Sequence, residues 1–281
     1  MSVLTINKLT TSVGAEVVGV DPERLGADDS LGAAILDALE DNGVLVFHDL
    51  HLDPQAQVAL SRRLGEIDHS ADGHHPVAGI YPITLDKSKN KAAEYLKATF
   101  DWHIDGCTPM HDECPQKATV LSAVEVAARG GETEFANAYA AYESLSEAEQ
   151  ERYATLRVVH SLEASQRRVY PDPTPEQQAR WAARPTHENP LVWTHRNGRK
   201  SLVLGASADY IVGMDRDEGR ALLAELLDHA TTPGKVYSHK WSVGDTVIWD
   251  NQGVLHRAAP YEPNSPRHML RTTVLGDEPI Q

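Results

Sequence analysis

The stretch from Val236 to Leu275 constrains the fold most. Four apolar segments, Val236–Trp241, Thr246–Trp249, Val254–Ala258 and Met269–Leu275, follow one another with only turn and loop residues between them. Each is short and rich in Val, Ile, Trp or Thr, which predicts strands. No helix-length pattern separates them, so they do not alternate as βαβ units would. Upstream the same short-strand pattern recurs at Val13–Val20, Val44–Phe47, Lys117–Val126, Leu156–His160, Leu191–His195 and Ser201–Leu204. Such a chain is mainly β (α+β): a jelly roll, with its helices packed outside the strands.

The helices carry their own punctuation. Asp28-Asp29-Ser30 caps a helix with Leu31, Ile35 and Leu39 on one face and Gly43 past its end. Asp53-Pro54 opens a second helix through Val58, Leu60 and Leu64, stopping at Gly65. Ser146-Glu147-Ala148-Glu149 is a capping box. Met214-Asp215 opens a helix through Leu227, and a further helical stretch is expected near Glu176–Ala183. Residues 68–98 are polar and lysine-rich. They read as a mobile active-site loop within one domain spanning 1–281.

Composition narrows the function. Acidic residues outnumber basic ones 41 to 26, a formal charge of −15, which disfavours a nucleic-acid partner. No apolar run reaches the ~18 residues of a membrane span. The amino terminus lacks a basic segment followed by a long apolar one, so a cytoplasmic protein is expected. Cys107 and Cys114 cannot build a disulfide framework and read as free thiols, small apolar fillers rather than metal ligands. The expected partner is a small molecule, and a homo-oligomer is compatible with the sequence.

The chemistry-bearing candidate is Phe100-Asp101-Trp102-His103-Ile104-Asp105-Gly106. On a strand or strand end, His103 and Asp105 point to one face and can meet one metal ion. His51-Leu52-Asp53 has the same spacing, but Asp53 is already committed to capping a helix. A second imidazole, His256, lies on the strand after Trp249-Asp250-Asn251. Two imidazoles and one carboxylate form the facial triad of non-heme Fe(II) oxygenases, which leaves positions open for a chelating cosubstrate and O2. Arg267 and Arg271 share a strand face by their i, i+4 spacing, among apolar neighbours, and a strand burying two arginines needs anions as partners. Arg180/Arg184 and Arg216/Arg220 have that spacing too, but read as solvent-exposed helical pairs. Trp102, Trp241 and Trp249 read as core.

Taken together, these pieces resemble the taurine dioxygenase and phenoxyalkanoate dioxygenase family of Fe(II)- and 2-oxoglutarate-dependent oxygenases. The matching stretches are Trp102-His103-Ile104-Asp105, Gly130-Gly131-Glu132-Thr133, Trp249-Asp250-Asn251 with His256-Arg257-Ala258, Arg267 through Asp277, and the opening Gly14 through Asp21. The resemblance implies a double-stranded β-helix. It implies His103, Asp105 and His256 as catalytic iron ligands, Thr133 and Arg267 as the pair holding the distal carboxylate of 2-oxoglutarate, and Arg271 facing the substrate's anionic head. The implied reaction splits 2-oxoglutarate to succinate and CO2 with O2, and hydroxylates an unactivated C–H bond. Related halogenases lack the carboxylate at the place of Asp105, so its presence favours hydroxylation.

Departures from the taurine-acting members concern the substrate. By ungapped count from Leu64-Gly65-Glu66, the histidine and tyrosine that hold taurine there are Ser70 and Gly73 here, and an asparagine is matched by Thr99. Taurine is therefore not the expected substrate. Small residues at Gly73 and Gly106 suit something bulkier, with a carboxylate, sulfonate or sulfate-ester head. Two other readings stay open on the residues alone. One is a jelly-roll metal-binding protein without activity; the other is a zinc hydrolase on the same three ligands.

Overall fold

The computed structural model describes residues 4–69, 75–109 and 114–281. Its first half runs β1 (Thr5–Lys8), β2 (Ala15–Val18), α1 (Pro22–Leu25), α2 (Asp29–Asn42), β3 (Val44–Phe47), α3 (Pro54–Leu64) and β4 (Tyr81–Ile83). A 3-10 helix, Tyr95–Phe100, leads to β5 (Ala118–Glu125), β6 (Thr133–Asn137), α4 (Ala138–Glu143), α5 (Glu147–Tyr153) and β7 (Arg157–His160). Then come α6 (Leu162–Val169), α7 (Pro175–Ala182), β8 (His187–Pro190), β9 (Val192–Thr194), β10 (Lys200–Leu202), β11 (Ala208–Ile211) and α8 (Arg216–Ala230). The chain closes with β12 (Val236–His239), β13 (Thr246–Asp250), β14 (Val254–Ala258) and β15 (His268–Val274).

Seven strands form one sheet in the order β1-β2-β3-β13-β5-β15-β4, and β12-β6-β14 form a second. Period-two alternation explains how they pack. In β3, Leu45 and Phe47 join α2 and α3 in one apolar cluster, while Val44 and Val46 join Phe135 of β6 and Val254 of β14 in another. In β13, Ile248 belongs to the first cluster and Val247 and Trp249 to the second. Both faces of the sheet's central strands are therefore buried, one under helices and one under the second sheet. This is the jelly-roll arrangement with helices outside. It explains why these strands read as unbroken apolar runs.

Three caps act as their sequences require. Asp28 accepts from the N–H groups of Ser30 and Leu31, Asp53 from that of Ala56, and Ser146 with Glu149 closes both halves of the capping box. Packing of α3 on the sheet adds a feature with no sequence signature. Gln57 is fully buried, and its Nε2 donates to the carbonyls of Leu270 (2.9 Å) and Val120 (3.2 Å). It ties the helix to β5 and β15 behind Arg271. Removing a donor from buried carbonyls costs about 1–3 kcal/mol. Gln57→Ala is expected to lose that much in chemical denaturation; an unchanged midpoint would refute the role.

Several expectations need correction. Residues 68–98 are not irregular throughout: β4 pairs with Met269–Arg271 at the edge of the large sheet, and a 3-10 helix begins at Tyr95. Polar residues hide these elements because they serve the turn between them. Asp86 accepts from Ser88 N–H, and Asn90 Nδ2 donates to the Pro82 carbonyl. Phe100–Gly106 is not a strand either. The 3-10 helix runs through Phe100, and His103 then makes an isolated bridge with His256. Helix α6 and strands β8 and β11 were not anticipated. Leu162–Val169 has little apolar periodicity, and its start depends on Ser161 accepting from Ala164 N–H.

Candidate functional site

His103 and His256 exchange both backbone hydrogen bonds, at 3.0 and 2.9 Å, which sets their rings 4.2 Å apart between centroids. Trp102 and Ile104 are buried beside them and fix the segment in the core. Gly106 turns the chain at φ +86 just after Asp105, whose carboxylate faces both rings. Asp105 Oδ1 lies 3.9 Å from His103 Nε2, and Oδ2 lies 3.8 Å from His256 Nε2. Those separations are too long for hydrogen bonds. All three ligand atoms lie within 4.8 Å of one another, close enough for one ion to bridge. Among the described residues no other such group occurs.

The protonation states suit a metal. His103 Nδ1 lies 2.9 Å from the Asp101 carbonyl. A proton on Nδ1 satisfies that contact and leaves the Nε2 lone pair free for the centre. Burial, reinforced by His103, pushes the His256 imidazole down to about 3, so it is neutral at physiological pH. Burial alone would raise the Asp105 carboxyl. The Arg271 guanidinium, helped by His256 and His103, outweighs it and holds the group below the usual carboxylate range. A neutral His256, the Nε2 of His103 and an ionised carboxylate are the donor set that ferrous iron takes.

A second cluster stands beside this one. Thr133 pairs with Ala258 and Phe135 with His256, so Thr133 and His256 project to the same side, two rows apart. Arg267 is 2% exposed; its Nε donates to the Gly131 carbonyl at 3.2 Å, and its guanidinium carbon sits 4.9 Å from the Tyr261 ring centroid. The two glycines before Thr133 have steric reasons. Gly130 has φ +69, and a Cβ there would stand 2.1 Å from the Pro260 carbonyl oxygen; one on Gly131, at φ +77, would press on Arg267 at 3.0 Å. Thr133 and Arg267 line a cavity of about 70 Å³ with both histidines and Arg271.

A larger cleft of about 360 Å³ is lined by His103 and Asp105. Arg271 lines both spaces. Its Nη1 is 3.4 Å from Asp105 Oδ2, its guanidinium carbon is 5.5 Å from the Tyr81 ring centroid, and its Nε is buried without a hydrogen-bond partner among the described residues. Thr99 lines both spaces too, but its hydroxyl already donates to the Leu96 carbonyl at 2.6 Å. Gly106 lines the cleft, yet its missing Cβ makes room for Pro115, whose Cα would be 2.7 Å away, rather than for a bulky substrate. Ser70 and Gly73 lie outside the described residues. Tyr81, Tyr95, Gln166 and Ser207 also line the cleft, and sequence reasoning missed them. They come from separate short elements whose convergence has no local signal.

Other candidates fall elsewhere. His51 binds Asp49 at 2.7 Å and lies against Gly244. Cys107 and Cys114 are free, and burial pushes the Cys107 thiol up to about 12, where it stays protonated. Trp102, Trp241 and Trp249 are all buried. Arg180 pairs with Glu94, and Arg216 and Arg220 with Asp209, as exposed helical arginines.

Comparison with known proteins is consistent across sequence and structure. Residues 5–273 match the family described as taurine catabolism dioxygenase TauD, TfdA family. The chain is 32% identical over 278 residues to the (S)-phenoxypropionate/alpha-ketoglutarate-dioxygenase of Sphingobium herbicidovorans, covering 97% of this chain and 95% of that one. It is 36% identical over 253 residues to the alpha-ketoglutarate-dependent 2,4-dichlorophenoxyacetate dioxygenase of Cupriavidus pinatubonensis, covering 85% and 86%. The crystal structure of AAD-2 in complex with Mn(II) and N-oxalylglycine superposes with a TM-score of 0.83, at 32% identity over 99% of both chains.

Proposed function

This chain belongs to the TauD, TfdA family and is an Fe(II)- and 2-oxoglutarate-dependent dioxygenase; from that premise we propose that it hydroxylates a small monoanion whose head is held by Arg271. His103, Asp105 and His256 are the residues that hold iron. Thr133 and Arg267 receive the distal carboxylate of 2-oxoglutarate. With O2, the bound iron and cosubstrate supply the oxidising power that places one oxygen atom in a substrate C–H bond, while 2-oxoglutarate leaves as succinate and CO2.

The protein's part is binding and orientation. Asp101, through His103 Nδ1, fixes which nitrogen faces the metal. Arg267 offers a fork of N–H donors held by Gly131 and Tyr261. Arg271 stands where the two spaces meet, so an anion on it places the adjoining carbon beside the ligands.

Arg271 carries the substrate reading. Among the described residues its Nε is buried without a partner, and its one carboxylate neighbour, Asp105, is a metal ligand in this proposal. Formal charge agrees: iron and doubly ionised 2-oxoglutarate cancel, and Asp105 cancels one of the two arginines. One positive charge is left for a carboxylate, sulfonate or sulfate ester. Among the described residues lining the cleft, Asp105 is the one carboxylate, so none of them beyond that ligand is placed to pair with the ammonium of taurine. Aryloxyalkanoates, on which the relatives named above act, are the first candidates.

The test is substrate-coupled 2-oxoglutarate consumption with phenoxyacetate, an alkyl sulfate and a neutral ether. The anions are expected to react and the ether not. Arg271→Leu is expected to lower kcat/KM for the anion about 100-fold, as removal of charge-assisted hydrogen bonds worth about 3 kcal/mol requires, with KM for 2-oxoglutarate little changed. A rise in the 2-oxoglutarate KM alone would move Arg271 to the cosubstrate.

We read residues 1–281 as one catalytic unit, since the site draws on positions from 103 to 271. No described helix is long and apolar enough to cross a membrane. The acid excess supports an enzyme that works on small molecules without a nucleic-acid partner, and we read it as cytoplasmic. The non-catalytic and zinc-hydrolase readings are not favoured, because they leave Thr133 and Arg267 without a task.

A further inference from the structure

We propose that Trp241 is a positioning residue for 2-oxoglutarate: its indole N–H fixes the direction in which the Thr133 hydroxyl donates. This rests on the reading that Thr133 and Arg267 hold the distal carboxylate. Trp241 Nε1 donates to Thr133 Oγ1 at 2.9 Å, and both residues are buried. An indole N–H is a donor only, so the threonine oxygen must accept this bond. Its own hydrogen then needs another acceptor. Among the described residues Thr133 Oγ1 has no hydrogen bond besides the one from Trp241. The free hydrogen is left for the cavity that Thr133 shares with Arg267. Two donors converging on one buried space call for an anion, and a carboxylate can accept from both.

Trp241 is itself held by groups with no other evident task. It follows β12, where His239 pairs with Thr133. The next residue, Ser242, begins a turn closed by Asp245, whose Oδ2 accepts from Ser242 N–H at 3.0 Å. Asp245 is 1% exposed; its Oδ1 is 3.0 Å from His48 Nδ1, and its Oδ2 is 3.2 Å from His239 Nε2. The His239 ring meets Trp241 edge-on, 4.5 Å between centroids at 89°. This polar cluster, buried at Asp245 and His239 and open to solvent at His48, braces the indole so that its N–H aims at one oxygen. Ordinary core packing needs the ring but not the N–H, which gives the proposal its test.

The experiment is an anaerobic titration of 2-oxoglutarate into the Fe(II)-loaded full chain, in a double-mutant cycle of W241F and T133A. W241F is expected to weaken 2-oxoglutarate about tenfold, the worth of one hydrogen bond of about 1.4 kcal/mol. Steady-state kcat at saturating cosubstrate is expected to change less than affinity does. In the T133A background W241F is expected to have no further effect, whereas with Thr133→Ser, which keeps the hydroxyl, its effect returns. Unchanged affinity in W241F, or the same loss with and without the hydroxyl, overturns the proposal. Should phenylalanine disturb the fold, benzothienylalanine at 241 replaces the N–H by sulfur at nearly constant shape, and the same outcomes apply. No 2-oxoglutarate binding by the unaltered protein would instead overturn the underlying site.

Discussion

Asp105→Ala is expected to abolish 2-oxoglutarate turnover, lowering it by well over the ~10–100-fold that changes outside the ligand shell of a metal site cost. The carboxylate is the one anionic donor among the three candidate ligands, and both histidine Nε2 atoms face it at 3.8–3.9 Å. Its removal also leaves Arg271 without its nearest carboxylate. The backbone is expected to survive, because the reciprocal His103–His256 bonds and the Gly106 turn do not involve the side chain. Fe(II)-dependent succinate release is the measurement, with far-UV circular dichroism as the control for folding. Activity within about tenfold of the parent in a folded variant would remove Asp105 from the ligand set.

Arg267→Ala is expected to raise the 2-oxoglutarate KM about 100-fold or more. Hydrogen bonds to charged groups contribute about 1.5–3 kcal/mol each, and a buried guanidinium can make two in parallel. Arg267 is so deeply buried that desolvation lowers its pKa, which makes an anionic partner the more valuable there. Arg267→Lys is expected to recover only part of the loss, since an ammonium cannot present the planar fork. Saturating cosubstrate is expected to restore much of kcat in both variants. A kcat defect that no cosubstrate concentration relieves would mean that Arg267 supports the fold or the metal instead.

Much of this was legible in the sequence, for reasons that differ from element to element. Val44–Phe47 and Thr246–Trp249 announced themselves because both faces of these central strands are buried, so no polar residue interrupts them. The caps at Asp28, Asp53 and Ser146 are local interactions, and local interactions are what a sequence displays. Residues 81–83 escaped notice because an edge strand borrows its partner from β15, nearly two hundred residues away. The His-x-Asp pair was found for a reason only half right. The two side chains do converge, through a 3-10 helix, a bridge and a left-handed glycine rather than strand periodicity. Gln57 and the Trp241–Thr133 bond have no sequence signature, since each depends on where a distant segment is packed.

The candidate substrate cleft was the least legible part. Tyr81, Tyr95, Gln166 and Ser207 reach it from β4, the 3-10 helix, α6 and the loop before β11. Arg271 stood out because a charged residue on a buried strand demands a partner, and the structure leaves its Nε without one.

The most direct test is anaerobic addition of 2-oxoglutarate to the protein with one equivalent of Fe(II), followed by visible absorption. Chelation of ferrous iron by the 2-oxo acid is expected to give a charge-transfer band that saturates at one cosubstrate per chain. The band is expected to be absent in His103→Ala and to need far more cosubstrate in Arg267→Ala. Iron binding with no spectral response to 2-oxoglutarate, or a band indifferent to His103, would contradict the assignment of this site.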